Sequence, residues 1–530
     1  MATEEQKDKN VLKSMLHSTS SLIIVQITYR VFTFITNAVI LRYITSDVLG
    51  IINVRLALLY STATFVSVEA FRRAALGVTE RSKWRQAINL VWLSVPVSAA
   101  VSAALAGLWL HALSQPAPEV TSEYRLGVWV TASMVVLETA AQPLVILAQA
   151  MLFVKLKVVA DMVSLCSRVA LKAWLIALYP SHAIWAYCVG HAVSSALLVL
   201  IYYGTLLWHV RSPDNCLPVK SASELGPRLL PGQPALDRDQ LALTWSFFKQ
   251  GLLKQLLTEG ERYLMTAFHL LDFSEQGLYD VVANLGSLAA RFLFQPVEEN
   301  AYVYFSRTVE RGKPVSAAAS RVLHDLLRAM SLLGLVAVTF GWSYSHLLLR
   351  LYGGALLAAG PAVSLLRAQC AYVLLLAVNG VLECYTFAVM REEQINGYNR
   401  KMVLLSVIFV VSTGIFTRLF GGVGFILANC VNMLTRIYVC YRFVAGLPLE
   451  PAVSVPPLLG LRPPAAVAAA LVTAGLLAAG SESWLYPGSA AAHVTVGALC
   501  GAAVVAAAVY SEPRLLQAVR ERVGDKLKRS

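Results

Sequence analysis

Residues 47–73 read DVLGIINVRLALLYSTATFVSVEAFRR. From Val48 to Ala70 this stretch is apolar and long enough to cross a bilayer, whose hydrocarbon core takes about 20 helical residues. Yet it holds Arg55 and Glu69, fourteen positions apart, and closes on Arg72 and Arg73. Fourteen positions is close to four helical turns, so the two charges share one face. Ionised groups inside a membrane span face a partner or a watery cavity rather than lipid. One stretch therefore predicts a membrane helix with a polar side.

The rest of the chain repeats this pattern. Its 530 residues are 57% hydrophobic and 14% charged, against about 25% charged in soluble domains. A secreted protein, a cytosolic enzyme, a singly anchored receptor and a disordered chain are all excluded. Apolar spans are expected at 16–41, 48–70, 87–110, 124–148, 158–179, 183–207, 241–270, 277–303, 322–349, 366–390, 402–418, 422–444, 463–480 and 490–510. The expected fold is an all-α polytopic membrane protein of about 14 transmembrane helices. It has an N-terminal six-helix lobe (1–207), a linker (208–240) rich in Pro and charge, a second six-helix lobe (241–445), and two extra helices with a basic tail (446–530).

The charges test this map. Lys and Arg number 44 against 31 Asp and Glu, a net +13. No basic run interleaved with aromatics supports a nucleic-acid partner. With a cytosolic N-terminus, 31 basic residues fall on the cytosolic side and five on the other. A lost helix would invert everything downstream of it, so the asymmetry argues for this count and for two cytosolic termini. The first span is too long for a cleaved leader and reads as an uncleaved anchor. The chain ends in Lys526, Leu527, Lys528, Arg529 and Ser530, a tail that looks like a retrieval signal to the endoplasmic reticulum. Eight cysteines form no CxxC pair, and no Asn-x-Ser/Thr occurs, so neither a disulfide framework nor a glycan acceptor is implied.

Within the spans the polar residues fall on stripes. Gln26, Arg30, Thr33 and Asn37 share a face of the first helix, and Asp161, Arg168 and Lys172 a face of the fifth. The seventh carries Glu259, Glu261 and Arg262; in the eighth Asn284, Arg291 and Glu298 are each seven apart. The plainer account is interhelical ion pairs and snorkelling ends, which suits Arg72, Arg73, Glu298 and Glu299. For the deep cations Arg30, Arg55, Arg168, Lys172, Arg262 and Arg291 the pattern favours a polar interior for an anion, since paired basic groups suit phosphate oxygens. Glu69, Arg72, Arg73, Asp161, Glu259 and Glu298 are expected to support or gate it. A proton or sodium transporter would instead show surplus carboxylates.

The two halves look related. Gly50 precedes Glu69 by 19 residues, and Gly277 precedes Glu298 by 21, each after a short turn motif. An even number of helices per half gives the halves one orientation, the layout of alternating-access carriers. Enzyme readings find no support: HExxH, P-loop, GxGxxG and aspartate-rich prenyl-diphosphate motifs are missing from the sequence. No catalytic residue, metal or cofactor is expected.

Several long stretches resemble the eukaryotic family of oligosaccharide-lipid translocation proteins of the endoplasmic reticulum. They are NVRLALLYST (53–62), EAFRRA (69–74), LAQAMLFVKLKV (147–158), LTWSFFKQGLLKQLLTEGERY (243–263), GLYDVVANLGSLAARFLFQPVEE (277–299), NGVLECYTFA (379–388) and GFILANCVNM (424–433). The linker and the last two helices resemble nothing in particular. The resemblance implies the multidrug/oligosaccharidyl-lipid/polysaccharide exporter superfamily and a flippase for dolichol-diphosphate-linked Man5GlcNAc2, moved to the luminal leaflet for N-glycosylation. Its partners would be that lipid, membrane lipids and other N-glycosylation proteins. A non-transporting accessory role in precursor assembly is the competing reading.

Overall fold

In lipid every backbone N–H and C=O needs an internal partner, which leaves helix as the spanning form for these apolar segments. A computed structural model describes residues 31–511 apart from 79–82, 152, 213–216, 220, 229–233, 269, 359, 452 and 454. Arg30 and the basic tail lie outside the described residues. The chain is an all-α, multi-pass membrane protein; an isolated bridge between Val315 and Leu449 is the sole β pairing among the described residues. Nine described segments are long and apolar enough to cross a membrane. Helix Val154–Leu178 is not among them. Its length is ample, and its charged stripe is what lowers its hydropathy.

Two compact units meet between Gly277 and Leu278. The first holds Ser46–Leu76, Trp84–His111, Pro118–Ala150, Val154–Leu178, Ala183–Arg211 and the helical stretch 238–267. One of its cores joins Leu56, Leu58 and Leu59 to Trp109, Tyr124, Val128 and Ile184. Another joins Trp84, Ile88, Leu144, Leu147, Tyr202 and Leu206. A lobe boundary is expected at 208–240; by compactness, helix 238–258 lies in the first unit, against residues 70–76.

The 208–240 segment is a strap and not a loose tether. Leu217, Val219 and Leu225 are buried in that second core. Asn89 donates to the carbonyls of Arg228 and Ala235 at 2.7 and 3.0 Å and accepts from the Arg228 amide at 2.9 Å. Trp92 Nε1 donates to the Leu225 carbonyl at 2.8 Å. These contacts satisfy backbone groups that a Pro-rich segment cannot pair within itself.

Helix 46–76 contains two π turns, Ile51–Leu56 and Phe65–Glu69. A further π turn, Ala290–Phe294, interrupts the helical stretch 273–308. Such insertions re-aim side chains and gather at functional positions; Arg55, Glu69 and Arg291 fall in these three. The two turn motifs that suggested a repeat also meet within the first unit. A Cβ on Gly50 would overlap the Phe273 carbonyl, and one on Gly277 would stand 2.6 Å from the Gly50 amide. Ser274 donates to Ser46 at 2.7 Å beside them.

The second unit comprises residues 278–308, helices Ala317–Gly353 and Ala362–Val389, the stretch Glu392–Ala445, and helices Ala465–Trp484 and Ala490–Ser511. Its core gathers Phe305, Leu323, Leu327, Ala377, Val381, Tyr385 and Cys440. Within 392–445, Gly421 leaves helical geometry at φ 57° and ψ −139°. Helix begins at 392 rather than at 402 because its polar first turns, which hydropathy discounts, continue the same helix. Helix 465–484 packs on 317–353 and on 490–511.

Candidate functional site

Helix 118–150 carries one deep carboxylate, Glu138, nine-tenths buried. Its neighbours are donors. The Tyr60 hydroxyl donates to Oε2 and the Ser195 hydroxyl to Oε1, both at 2.5 Å. Arg168 Nη2 reaches Oε1 at 3.3 Å while its Nε donates to Ser194 Oγ at 3.2 Å. The guanidinium also lies 5.8 Å from the Tyr60 ring centroid, within cation–π range. His191 stands 3.7 Å from the carboxylate, beyond hydrogen-bond reach, between the ring edges of Tyr60 and Tyr187. Four helices thus converge on one charge.

Lys172 lies one turn beyond Arg168 on the same face of helix 154–178. Gly190 lets helix 183–211 approach here: a Cβ at that position would stand 3.0 Å from the Arg168 carbonyl and 3.5 Å from Lys172 Cβ. Glu138 answers Arg168, yet Lys172 has no carboxylate or hydrogen-bond partner among the described residues; its charged neighbour is Arg168 itself. It is half-buried within a bundle of spanning helices. An unpaired ammonium in that position draws in water or an anion.

The other expected residues are distributed differently. Arg55 is 1% exposed and bonded to neutral acceptors: Gln276 Oε1 and the Thr266 carbonyl at 3.3 Å, and Ser114 Oγ at 2.6 Å. It also stacks 4.9 Å from the Phe273 centroid. In this arrangement it braces the glycine crossing of 50 and 277. Arg262 pairs with Glu259 at 3.1 Å, Arg73 with Glu69 at 2.7 Å and Asp161 with Lys157 at 3.0 Å. Arg72 donates to Gln149 at 2.9 Å. Arg291 is placed in its π turn by its backbone alone. Of the four of these cations whose side chains are described, Arg168 and Lys172 lie together.

The second unit has its own charge centre, on Glu383 of helix 362–389. Arg436 Nη2 reaches both carboxylate oxygens at 2.5 and 2.6 Å, Asn379 Nδ2 one at 2.8 Å and the Tyr398 hydroxyl the other at 3.2 Å. The sequence reading did not single out Arg436, Tyr398, Tyr60 or Ser195. A signal was present: Val136-Leu137-Glu138 recurs as Val381-Leu382-Glu383, each on the fourth helix of its sequence half.

No group of three or more His, Cys, Asp or Glu able to hold a metal occurs among the described residues. Fold and site together define a multi-pass helical membrane protein with a buried polar centre in each unit. Residues 14–522 match the model of the Rft-1 family, described as Rft protein, and the chain belongs to that family. It is 41% identical to the Man(5)GlcNAc(2)-PP-dolichol translocation protein RFT1 of Xenopus tropicalis, over 97% of this chain and 98% of that one. It is 40% identical to the Mus musculus protein so named, with the same coverage. Among solved structures it is similar to "Lipid II flippase MurJ, inward closed conformation", at TM-score 0.59 and 11% identity. That alignment covers 93% of this chain and 99% of the other. At that identity the likeness is one of fold.

Proposed function

We propose that this protein translocates dolichol-diphosphate-linked Man5GlcNAc2 from the cytosolic to the luminal leaflet of the endoplasmic-reticulum membrane, without a covalent step. The names of its relatives support the substrate class, and the flippase-like fold supports a carrier. The observation that carries the reading is Lys172: a cation inside the bundle, without a partner among the described residues, one turn from Arg168. The diphosphate supplies the missing charge. Arg168 is held by Glu138 until an anion competes for it, and paired basic groups bind phosphate oxygens with charge-assisted hydrogen bonds. Arg30, Arg262 and Arg291 belong to the same proposed anion path, with Arg55 as the brace beneath it. Glu69, Arg72, Arg73, Asp161, Glu259 and Glu298 position or gate the path. Both termini would be cytosolic, and the prenyl chain would stay in lipid.

The test is reconstitution of purified protein into vesicles with a labelled dolichol-diphosphate heptasaccharide. Wild type is expected to equilibrate the lipid between leaflets. Lys172→Ala is expected to slow this about tenfold, equivalent to one charge-assisted bond of about 1.5 kcal/mol. Lys172→Glu is expected to be worse, because repulsion is added to the lost attraction. Equal rates in all three proteins would remove Lys172 from the site.

A further inference from the structure

Glu138 and Glu383 each follow a Val-Leu pair in the sequence, and each centre leaves buried polar atoms without a partner. Around Glu138, hydroxyls and a guanidinium fill the acceptor positions of the carboxylate, and the unbonded atoms are the two buried ring nitrogens of His191. Around Glu383, three groups remain unmatched. Asn379, 5% exposed, gives its Nδ2 to Glu383 while its Oδ1 is buried without a hydrogen-bond partner. Arg436 Nε is likewise buried and unbonded. Glu298 lies well inside the helical stretch 273–308, and the charged groups acting on it are the carboxylates Glu383 and Glu299. Its carboxylate rests on Gly380, where any Cβ would overlap it. Gly380 adjoins Asn379 in the chain, so the glycine is the cradle that sets Glu298 beside the Asn379–Glu383 turn.

An orphaned acceptor, an orphaned donor and a lone carboxylate specify the chemistry of what would satisfy them. A metal cation would meet Arg436 and leave its Nε unserved. A phosphate would face Glu298 and Glu383. A hydroxyl both donates and accepts, and neighbouring ring hydroxyls present several at once. We propose that Glu298, Asn379 and Arg436 form a subsite for sugar hydroxyls, reading the glycan of the carried lipid. The inference rests on the translocation reading for its biological substrate. Its chemistry can be tested apart from it.

The full-length protein in nanodiscs is titrated with free Man5GlcNAc2, without lipid, and binding is read by saturation-transfer NMR. Wild type is expected to bind. Asn379→Leu, which removes both amide groups at similar volume, and Glu298→Gln, which keeps the shape, are each expected to weaken binding at least tenfold. In vesicles both variants are expected to slow the heptasaccharide carrier about tenfold more than dolichol diphosphate bearing one N-acetylglucosamine. Glu298→Gln keeps the test alive where Asn379→Leu fails to fold. Unchanged binding in both variants overturns the subsite, as does no glycan binding by wild type, which would leave bound water as the satisfier of these groups. If wild type moves neither lipid but binds the free glycan through these residues, translocation fails and the subsite stands.

Discussion

Glu138 and Arg168 share a hydrogen bond at 3.3 Å but do not depend on each other equally. Without Arg168, the carboxylate keeps the hydroxyls of Tyr60 and Ser195. Without Glu138, the guanidinium loses its carboxylate while Lys172 stays one turn away, and two hydroxyls lose their acceptor. Breaking a buried pair is dominated by the charge left behind. Glu138→Ala is therefore expected to destabilise the protein by about 3 kcal/mol and Arg168→Ala by about 1, measured as thermal unfolding in detergent. The reverse order would mean that Arg168, and not the carboxylate, organises the cluster. Much of this was legible in the sequence: the 168–172 spacing puts both cations on one face. The partners were not, because Tyr60 and Ser195 come from helices whose approach only tertiary packing sets. Arg55 shows the converse limit. Its stripe position predicts an inward direction, which it has, but periodicity cannot tell an open interior from one closed by Gln276, Ser114 and Phe273.

Spans were readable because lipid forces long apolar runs, and their ends blurred wherever polar residues continued a helix. The break between 402–418 and 422–444 was expected from hydropathy; its cause is the single non-helical residue at Gly421. Its φ and ψ lie near the region that only glycine occupies without strain. Gly421→Ala is expected to lower stability by about 1–3 kcal/mol. Gly414→Ala, seven residues earlier with nothing within 4 Å of a new Cβ, is expected to raise it by about 0.5–1 kcal/mol through backbone entropy. Opposite shifts in melting temperature support Gly421 as the hinge residue, whereas two rises would mean that the break tolerates a side chain. The strap escaped the sequence reading for a physical reason. Pro-rich composition signals non-helical backbone, but the anchors Asn89 and Trp92 lie more than 130 residues before their acceptors.

For the whole molecule, the charge asymmetry predicts that both termini and the 208–240 segment are cytosolic. In sealed microsomes, protease is expected to cut epitopes at the termini, and a site inserted into the segment, without detergent; protection of the inserted site would overturn the map. Topology alone does not separate a carrier from an accessory protein, since both would show the same helices and clusters. Access does. A carrier must present Lys172 and Arg168 to each side in turn, whereas an accessory protein needs one stable opening. Val169, three residues before Lys172 and so its neighbour on the helix surface, reports on the access of Lys172. With the eight native cysteines replaced, Val169→Cys is expected to react with a membrane-impermeant thiol reagent from the cytosolic side in one state and from the luminal side in another. Added dolichol-diphosphate oligosaccharide is expected to shift the balance, because a ligand that binds two states unequally must redistribute them. Labelling from one side only, unmoved by the lipid, in a protein whose depletion still depletes N-glycan precursor, would assign it the accessory role. The unpaired charge of Lys172 favours the carrier, because burying it in the membrane interior raises the free energy of the empty protein, and an anionic substrate is what removes that penalty.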